Sequence, residues 1–143
     1  MAAGNVLLVD DEQEFTEILS QRLEARDLAV DCASNDREAL EQANKKSYDI
    51  IILDLVMPGM DGLETLRLLR EKNPNVQVIL LTGHGDVKKS VEAMKMGAKD
   101  FLEKPADIKE LMSKIKDAWA EKAARVEQEM EEKLKKITSS RSW

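Results

Sequence analysis

An alternation along this chain restricts its fold more than any other feature. Short apolar runs ("NVLLV", "LAVDCA", "DIIIL", "VQVILL" and "KDFLE") are separated by "QEFTEILSQRLEAR", "DREALEQANKK", "GLETLRLLREK" and "DVKKSVEAMKM". Each of the four longer segments carries apolar residues at three- and four-residue spacing, as Phe15, Ile18, Leu19 and Leu23 do, so each has one apolar helical face. Strands alternating with one-faced helices predict right-handed βαβ units and a parallel sheet covered on both sides. The expectation is a doubly wound α/β domain, ending near residue 118. Pro74 should stop the third helix at about Asn73, and Gly97 should cap the fourth.

From Asp107 onward there is no Gly or Pro, which predicts one long fifth helix fading in Thr138-Ser139-Ser140. Ile108, Leu111, Met112 and Ile115 should pack on the sheet. Further on, Trp119, Ala123, Val126, Met130 and Ile137 follow alternating four- and three-residue steps, interrupted by Lys133. Residues 1–120 therefore form the expected domain and 121–143 a helical extension, either a coiled-coil strand or a solvated helix.

Composition narrows the function. Apolar residues make up 43% and charged residues 35%, which suits a folded globular chain. The net charge of -6 argues against direct nucleic-acid binding or attraction to anionic membranes. No apolar run approaches the ~20 residues that span a bilayer, and no signal peptide opens the sequence, so the expected location is the cytoplasm. The single cysteine, Cys32, is expected as a buried, inert thiol in a strand.

In open parallel sheets, ligands bind beyond the carboxyl ends of the strands, where strand order reverses. The first run here ends in Asp10-Asp11, the third in Asp54 and the fourth in Thr82; the fifth leads into Lys104-Pro105. With strand order 2-1-3-4-5, Asp10, Asp11 and Asp54 share one crevice flanked by Thr82 and Lys104. Three carboxylates together repel one another, and a hard divalent cation such as Mg²⁺ relieves the conflict while leaving room for a phosphate oxygen. A hydroxyl and a lysine beside them complete the parts for phosphoryl transfer to a carboxylate. Taken singly, each residue has a plainer reading: Asp11 ahead of "EQEF" suits a helix N-cap, Thr82 a strand end, Lys104 a surface lysine.

The pieces "LLVDDE", "IILDLVMPGMDG", "LTGHGD" and "GAKDFLEKP" occur in an order and spacing that resembles the CheY-like receiver domain of bacterial two-component response regulators. The resemblance covers about residues 4 to 120 and implies a flavodoxin/CheY-like sheet of five strands with five helices. By that resemblance Asp54 is the phosphoacceptor and Asp10 and Asp11 form the acidic pair that, with Asp54 and the backbone carbonyl of Val56, holds Mg²⁺ (or Mn²⁺). Asp11 would bind the ion directly and Asp10 through water. Thr82 and Lys104 hold the phosphoryl oxygens, Phe101 is the switch aromatic, and the Lys104-Pro105 bond is cis. Val56 and His84 occupy positions that tune water access; Val56 cannot orient an attacking water, which implies a long-lived phosphoryl group, and His84 is expected as a shielding loop residue.

The resemblance implies a sensor histidine kinase or histidine phosphotransfer protein as donor, an unidentified downstream protein, and a module that is not an enzyme beyond self-catalysed phosphorylation and dephosphorylation. A homodimer would form through the C-terminal helix or through the face running from the fourth to the fifth helix. Three alternatives stand beside this. The chain is a receiver from a longer transcriptional regulator with the last helix as a dimerising linker, a reading that "TGHGD" favours; it is a scaffold acting through that helix; or it is a phosphatase-like hydrolase with an Asp nucleophile. Haloacid-dehalogenase-type enzymes place a second Asp two residues after the first, where this chain has Val56, and carry the nucleophile on the first strand.

Overall fold

The computed structural model describes residues 4–57, 59, 61–83 and 87–140. Strands β1 (Gly4–Val9), β2 (Leu28–Ala33), β3 (Ile50–Asp54), β4 (Gln77–Thr82) and β5 (Asp100–Glu103) form one parallel sheet in the order β2-β1-β3-β4-β5. Helices α1 (Gln13–Glu24), α2 (Asp36–Lys45), α3 (Gly62–Lys72), α4 (Val87–Lys95) and α5 (Ile108–Ser140) connect and cover it. The expected fold is the one observed.

Both sheet faces are buried, which is why the strands read as continuous apolar runs instead of alternating ones. Leu7, Val9, Ile51, Leu53, Val78 and Leu80 pack against Ala39, Leu66, Leu69 and Ala93 of α2, α3 and α4. On the other face Val6, Leu8, Ile50, Ile52, Ile79 and Leu81 meet Leu19 and Leu23 of α1 and Leu111, Ile115 and Ala118 of α5. Each fully buried Leu or Ile contributes about 2 kcal/mol before conformational entropy is counted.

Local signals set the helix ends. The Asn35 side chain accepts from the Glu38 N–H at 2.8 Å, and Glu38 reaches back to the Ser34 N–H at 2.7 Å. Asp61 caps α3 by accepting from Leu63 and Glu64. α3 ends on Asn73, ahead of Pro74. Gly97, at φ +103°, closes α4: its N–H meets Met94 O and the Ala98 N–H meets Ala93 O, both at 3.1 Å, the paired bonds of a left-handed helix stop.

Three expectations are corrected. Cys32 is exposed. α1 covers Leu28 and Val30 on the same face of the edge strand β2 but leaves Cys32 open near Ser20. Partial burial, with the fields of Asp31 and Glu24, still pushes its thiol above the usual range, so it is exposed without being activated. Asp11 does not cap α1. Glu12 occupies the N-cap position without a side-chain bond, and Asp10 takes the Glu12 N–H instead. Ile18, placed on the apolar stripe of α1 by its spacing, is 49% exposed.

α5 continues unbroken for 33 residues, and its middle turns pass the amino-terminal edge of the sheet. There the Trp119 ring lies on Gly4, so close that a Cβ at Gly4 would sit 2.1 Å from it. Lys122 is bonded to Asp49, which also accepts from the Asn5 N–H at 3.0 Å. Glu121 pairs with Lys99 at 2.6 Å, and Glu129 accepts from Asn75 at 3.3 Å. Glu129, Glu131 and Glu132 each precede a lysine by four residues, the orientation that stabilises a helix in water. Among the described residues no helix is long and apolar enough to cross a membrane.

Candidate functional site

The site lies at the carboxyl edge of the sheet, where β1 sits between β2 and β3 and the strand order reverses. Asp10 follows β1 directly; its N–H is held by Ala33 O at 3.1 Å and one carboxylate oxygen accepts the Glu12 N–H at 2.9 Å. Asp54 is the last residue of β3, with one oxygen accepting the Val56 N–H at 3.0 Å. Asp10 and Asp54 are buried while Asp11 is exposed, and one carboxylate oxygen from each lies within 4.8 Å of the others.

Lys104 stands among them. Its N–H bond to Thr82 O at 2.9 Å sets it just past β5, and its ammonium is 2.7 Å from Asp10, 3.2 Å from Asp54 and 3.1 Å from Glu12. The Phe15 ring lies against the same ammonium, 4.8 Å from centroid to nitrogen. Burial works against the charged lysine, but bonds to Asp10 and Glu12 and the fields of Asp10 and Asp54 outweigh it and hold its pKa above the ordinary value. Burial also pushes the Asp54 carboxyl up, aided by Asp10 and opposed by the Val56 N–H and Lys104.

The donor set fits a hard divalent cation: three converging carboxylates, all oxygen. One further observation supports the fit. The second Asp10 oxygen is buried and close to Lys104, yet no donor is aligned to it as a hydrogen bond. Its nearest neighbour is the Lys104 ammonium at 2.7 Å, so this oxygen is held by charge and stays on the side of the site where the three carboxylates converge.

Thr82 is buried at the end of β4, one residue past Leu81, the strand partner of Asp54. Phe101 sits on the edge strand β5 and is 38% exposed, and the Lys104-Pro105 bond is cis. Val56 is half exposed beside Asp54. Gly59 turns the following loop at φ +74°; Pro58 and His84 lie outside the described residues. Gly62 lets that loop close on α3, since a Cβ there would lie 2.5 Å from Leu55 O. Glu12 and Phe15 were not assigned to the site by sequence reasoning. The acidic run after "LLV" was the available signal for Glu12; Phe15 read only as core.

Residues 6–116 match the protein family described as the response regulator receiver domain. The chain belongs to that family. It is a receiver domain of two-component signalling, and receivers as a class are signalling modules without an enzymatic turnover of their own. It is 36% identical over 118 residues to the DNA-binding transcriptional regulator NtrC of Escherichia coli, covering 82% of this chain and 25% of that protein. It is 43% identical over 113 residues to a CpxR homolog of Haemophilus influenzae, covering 79% and 49%. Among solved structures, a receiver domain protein from Clostridium thermocellum matches with a TM-score of 0.79 at 34% identity, covering 87% of this chain and 98% of that one. NtrX from Brucella abortus matches with a TM-score of 0.84 at 27% identity, covering 90% and 29%. The receiver thus spans between a quarter and about half of the length of several curated regulators it resembles.

Proposed function

We propose that this receiver takes a phosphoryl group onto Asp54 from a phosphohistidine of a sensor kinase or phosphotransfer protein. The observation that supports this most directly is the convergence of three carboxylates and Lys104 on the end of β3. An Asp54 oxygen forms the new P–O bond while the P–N bond to the donor imidazole breaks and its electron pair stays on the ring nitrogen. Asp10, Asp11, Asp54 and the Val56 carbonyl would hold Mg²⁺ (or Mn²⁺), which when bound supplies positive charge to the phosphoryl oxygens. Lys104, already 3.2 Å from Asp54, neutralises a further oxygen, and the Thr82 hydroxyl donates to another. That donation draws Thr82 toward the phosphate, and Phe101 turns inward behind it, changing the surface between α4 and α5.

Intact-mass spectrometry after incubation with Mg²⁺ and a small-molecule phosphodonor tests this. One added phosphoryl group should appear in the wild type and be absent from Asp54→Asn and from chelator-treated protein. An adduct that survives in Asp54→Asn removes Asp54 as acceptor.

A second reading concerns the extension beyond residue 120. Its outward face exposes Met130, Leu134 and Ile137 at 63%, 65% and 54%, and several relatives are transcriptional regulators of greater length. The extension serves as a dimerising helix, which sedimentation of the full chain and of a chain ending at Ala118 would test.

A further inference from the structure

We infer that Phe15 is a positioning residue for phosphoryl transfer. Its ring is an uncharged seat that keeps the Lys104 ammonium at the site while it turns from Asp10 and Asp54 to a phosphoryl oxygen. This rests on the transfer to Asp54 proposed above and adds a residue that sets its rate.

Ring and ammonium reach each other from distant parts of the chain. Phe15 lies in the first turn of α1, and that turn is tied to the site. The Glu12 N–H donates to Asp10, and the Thr16 N–H and hydroxyl both donate to Glu12 O, at 3.0 and 2.9 Å. Lys104 directly follows β5, with its own N–H on Thr82 O. The Phe15 side chain packs against the core cluster that holds Leu19, Leu23 and Leu111, so the core, and not the lysine, fixes where the ring lies. The ammonium stands over that ring, 4.8 Å from its centroid and inside the ~6 Å over which an aromatic face attracts a cation. The lysine side chain is only 16% exposed, so water competes little for the contact.

The other partners described for this ammonium are all carboxylates: Asp10 at 2.7 Å, Glu12 at 3.1 Å and Asp54 at 3.2 Å. Each carboxylate that stays paired with Lys104 cancels positive charge that a phosphoryl group would use. A ring attracts the cation through its quadrupole and brings no net negative charge. Of the contacts described, Phe15 is therefore the one that can hold Lys104 through the transfer without weakening it as a counter-ion. It also confines a flexible four-carbon stem that would otherwise sample many rotamers. A leucine at this position would fill the core and offer no such face.

The test uses the full chain with Phe15→Leu and, by stop-codon suppression at position 15, with mono-, di- and trifluorophenylalanine. The fluorinated rings keep the shape and drain the negative face. Adduct formation from acetyl phosphate and Mg²⁺ is timed by intact mass. The rate should fall stepwise with each added fluorine and lie roughly two- to fivefold below wild type in Phe15→Leu. A second measurement reads the seat without phosphoryl chemistry. In chelator with no donor, the ε-methylene protons of Lys104 should carry an upfield ring-current shift that Phe15→Leu abolishes. A missing shift would overturn the seat. Equal rates across the fluorinated series, with wild-type uptake intact, would overturn the role of Phe15 and leave transfer to Asp54 standing. A wild type that takes up no phosphoryl group would overturn the transfer, and the role of Phe15 with it.

Discussion

Replacing Lys104 by Met separates the work of the lysine from that of a bound cation. The Lys104 ammonium is 2.7 Å from Asp10 and 3.2 Å from Asp54, whose side chains are 0% and 6% exposed. Removing the cationic partner of buried charges costs about 3–5 kcal/mol. The contact with Glu12, whose side chain is 63% exposed, adds little. Asp54 relieves part of the cost by taking up a proton more readily, since burial already pushes its pKa up. The expected loss at neutral pH in chelator is therefore near the lower limit, about 3 kcal/mol. A carboxyl with a raised folded pKa binds its proton more tightly folded than unfolded, so the deficit should shrink as pH falls. Mg²⁺ then discriminates. With Lys104 present, ammonium and metal compete for Asp10 and Asp54; in Lys104→Met they do not, so saturating Mg²⁺ should stabilise the variant more than the wild type. Urea titrations with chelator and with Mg²⁺ read both effects. Equal midpoints in chelator, or a Mg²⁺ shift no larger than in the wild type, would refute the reasoning.

Two further substitutions test the scaffold. Tyr48→Phe removes the buried hydroxyl that donates to Asp31 at 2.7 Å, which should cost about 1 kcal/mol at neutral pH. Tyr48 is the first cause of the lowered Asp31 pKa, so this stability is present above the usual carboxylate value near ~3.9 and lost as pH falls; urea midpoints at pH 7 and pH 3 should converge, and a constant gap would contradict the assignment. Gly62→Ala forces a Cβ to within 2.5 Å of the Leu55 carbonyl, so it should cost about 1–3 kcal/mol and weaken Mg²⁺ binding by shifting the loop after Asp54. An unchanged midpoint would show that the loop yields freely.

The sheet and its reactive edge were legible because they depend on signals local in sequence. Buried strands leave continuous apolar runs, and topology alone carries Asp10, Asp54, Thr82 and Lys104 to one edge. What was not legible depends on side-chain reach and small angles. Glu12 and Phe15 join the site because a lysine 92 positions from Glu12 extends between them, which no local pattern encodes. Cys32 sits in an apolar run, but on the edge strand β2 only Leu28 and Val30 join the cluster that α1 covers, which leaves Cys32 open.

The two ends of the molecule are joined through α5, and Asp49 is the residue on which that junction can be tested without touching either end. The phosphoacceptor edge lies at the carboxyl ends of the strands, whereas the extension is held at their amino ends by Trp119 on Gly4, Lys122 on Asp49 and Glu121 on Lys99. Most helical stability in proteins comes from tertiary packing, so these contacts decide how firmly the last turns are held. Asp49→Ala leaves both the half-buried Lys122 ammonium and the Asn5 N–H without their acceptor, at a cost of about 2 kcal/mol. Amide exchange across residues 121–137 should accelerate at concentrations that keep the chain monomeric, while β3 and β4 stay protected and Asp54 keeps its phosphoryl uptake. Unchanged exchange in the extension would mean that Trp119 and Glu121 suffice to anchor it. Loss of phosphoryl uptake would show that strain at the amino edge reaches the carboxylates through β3, whose first residue follows Asp49 directly.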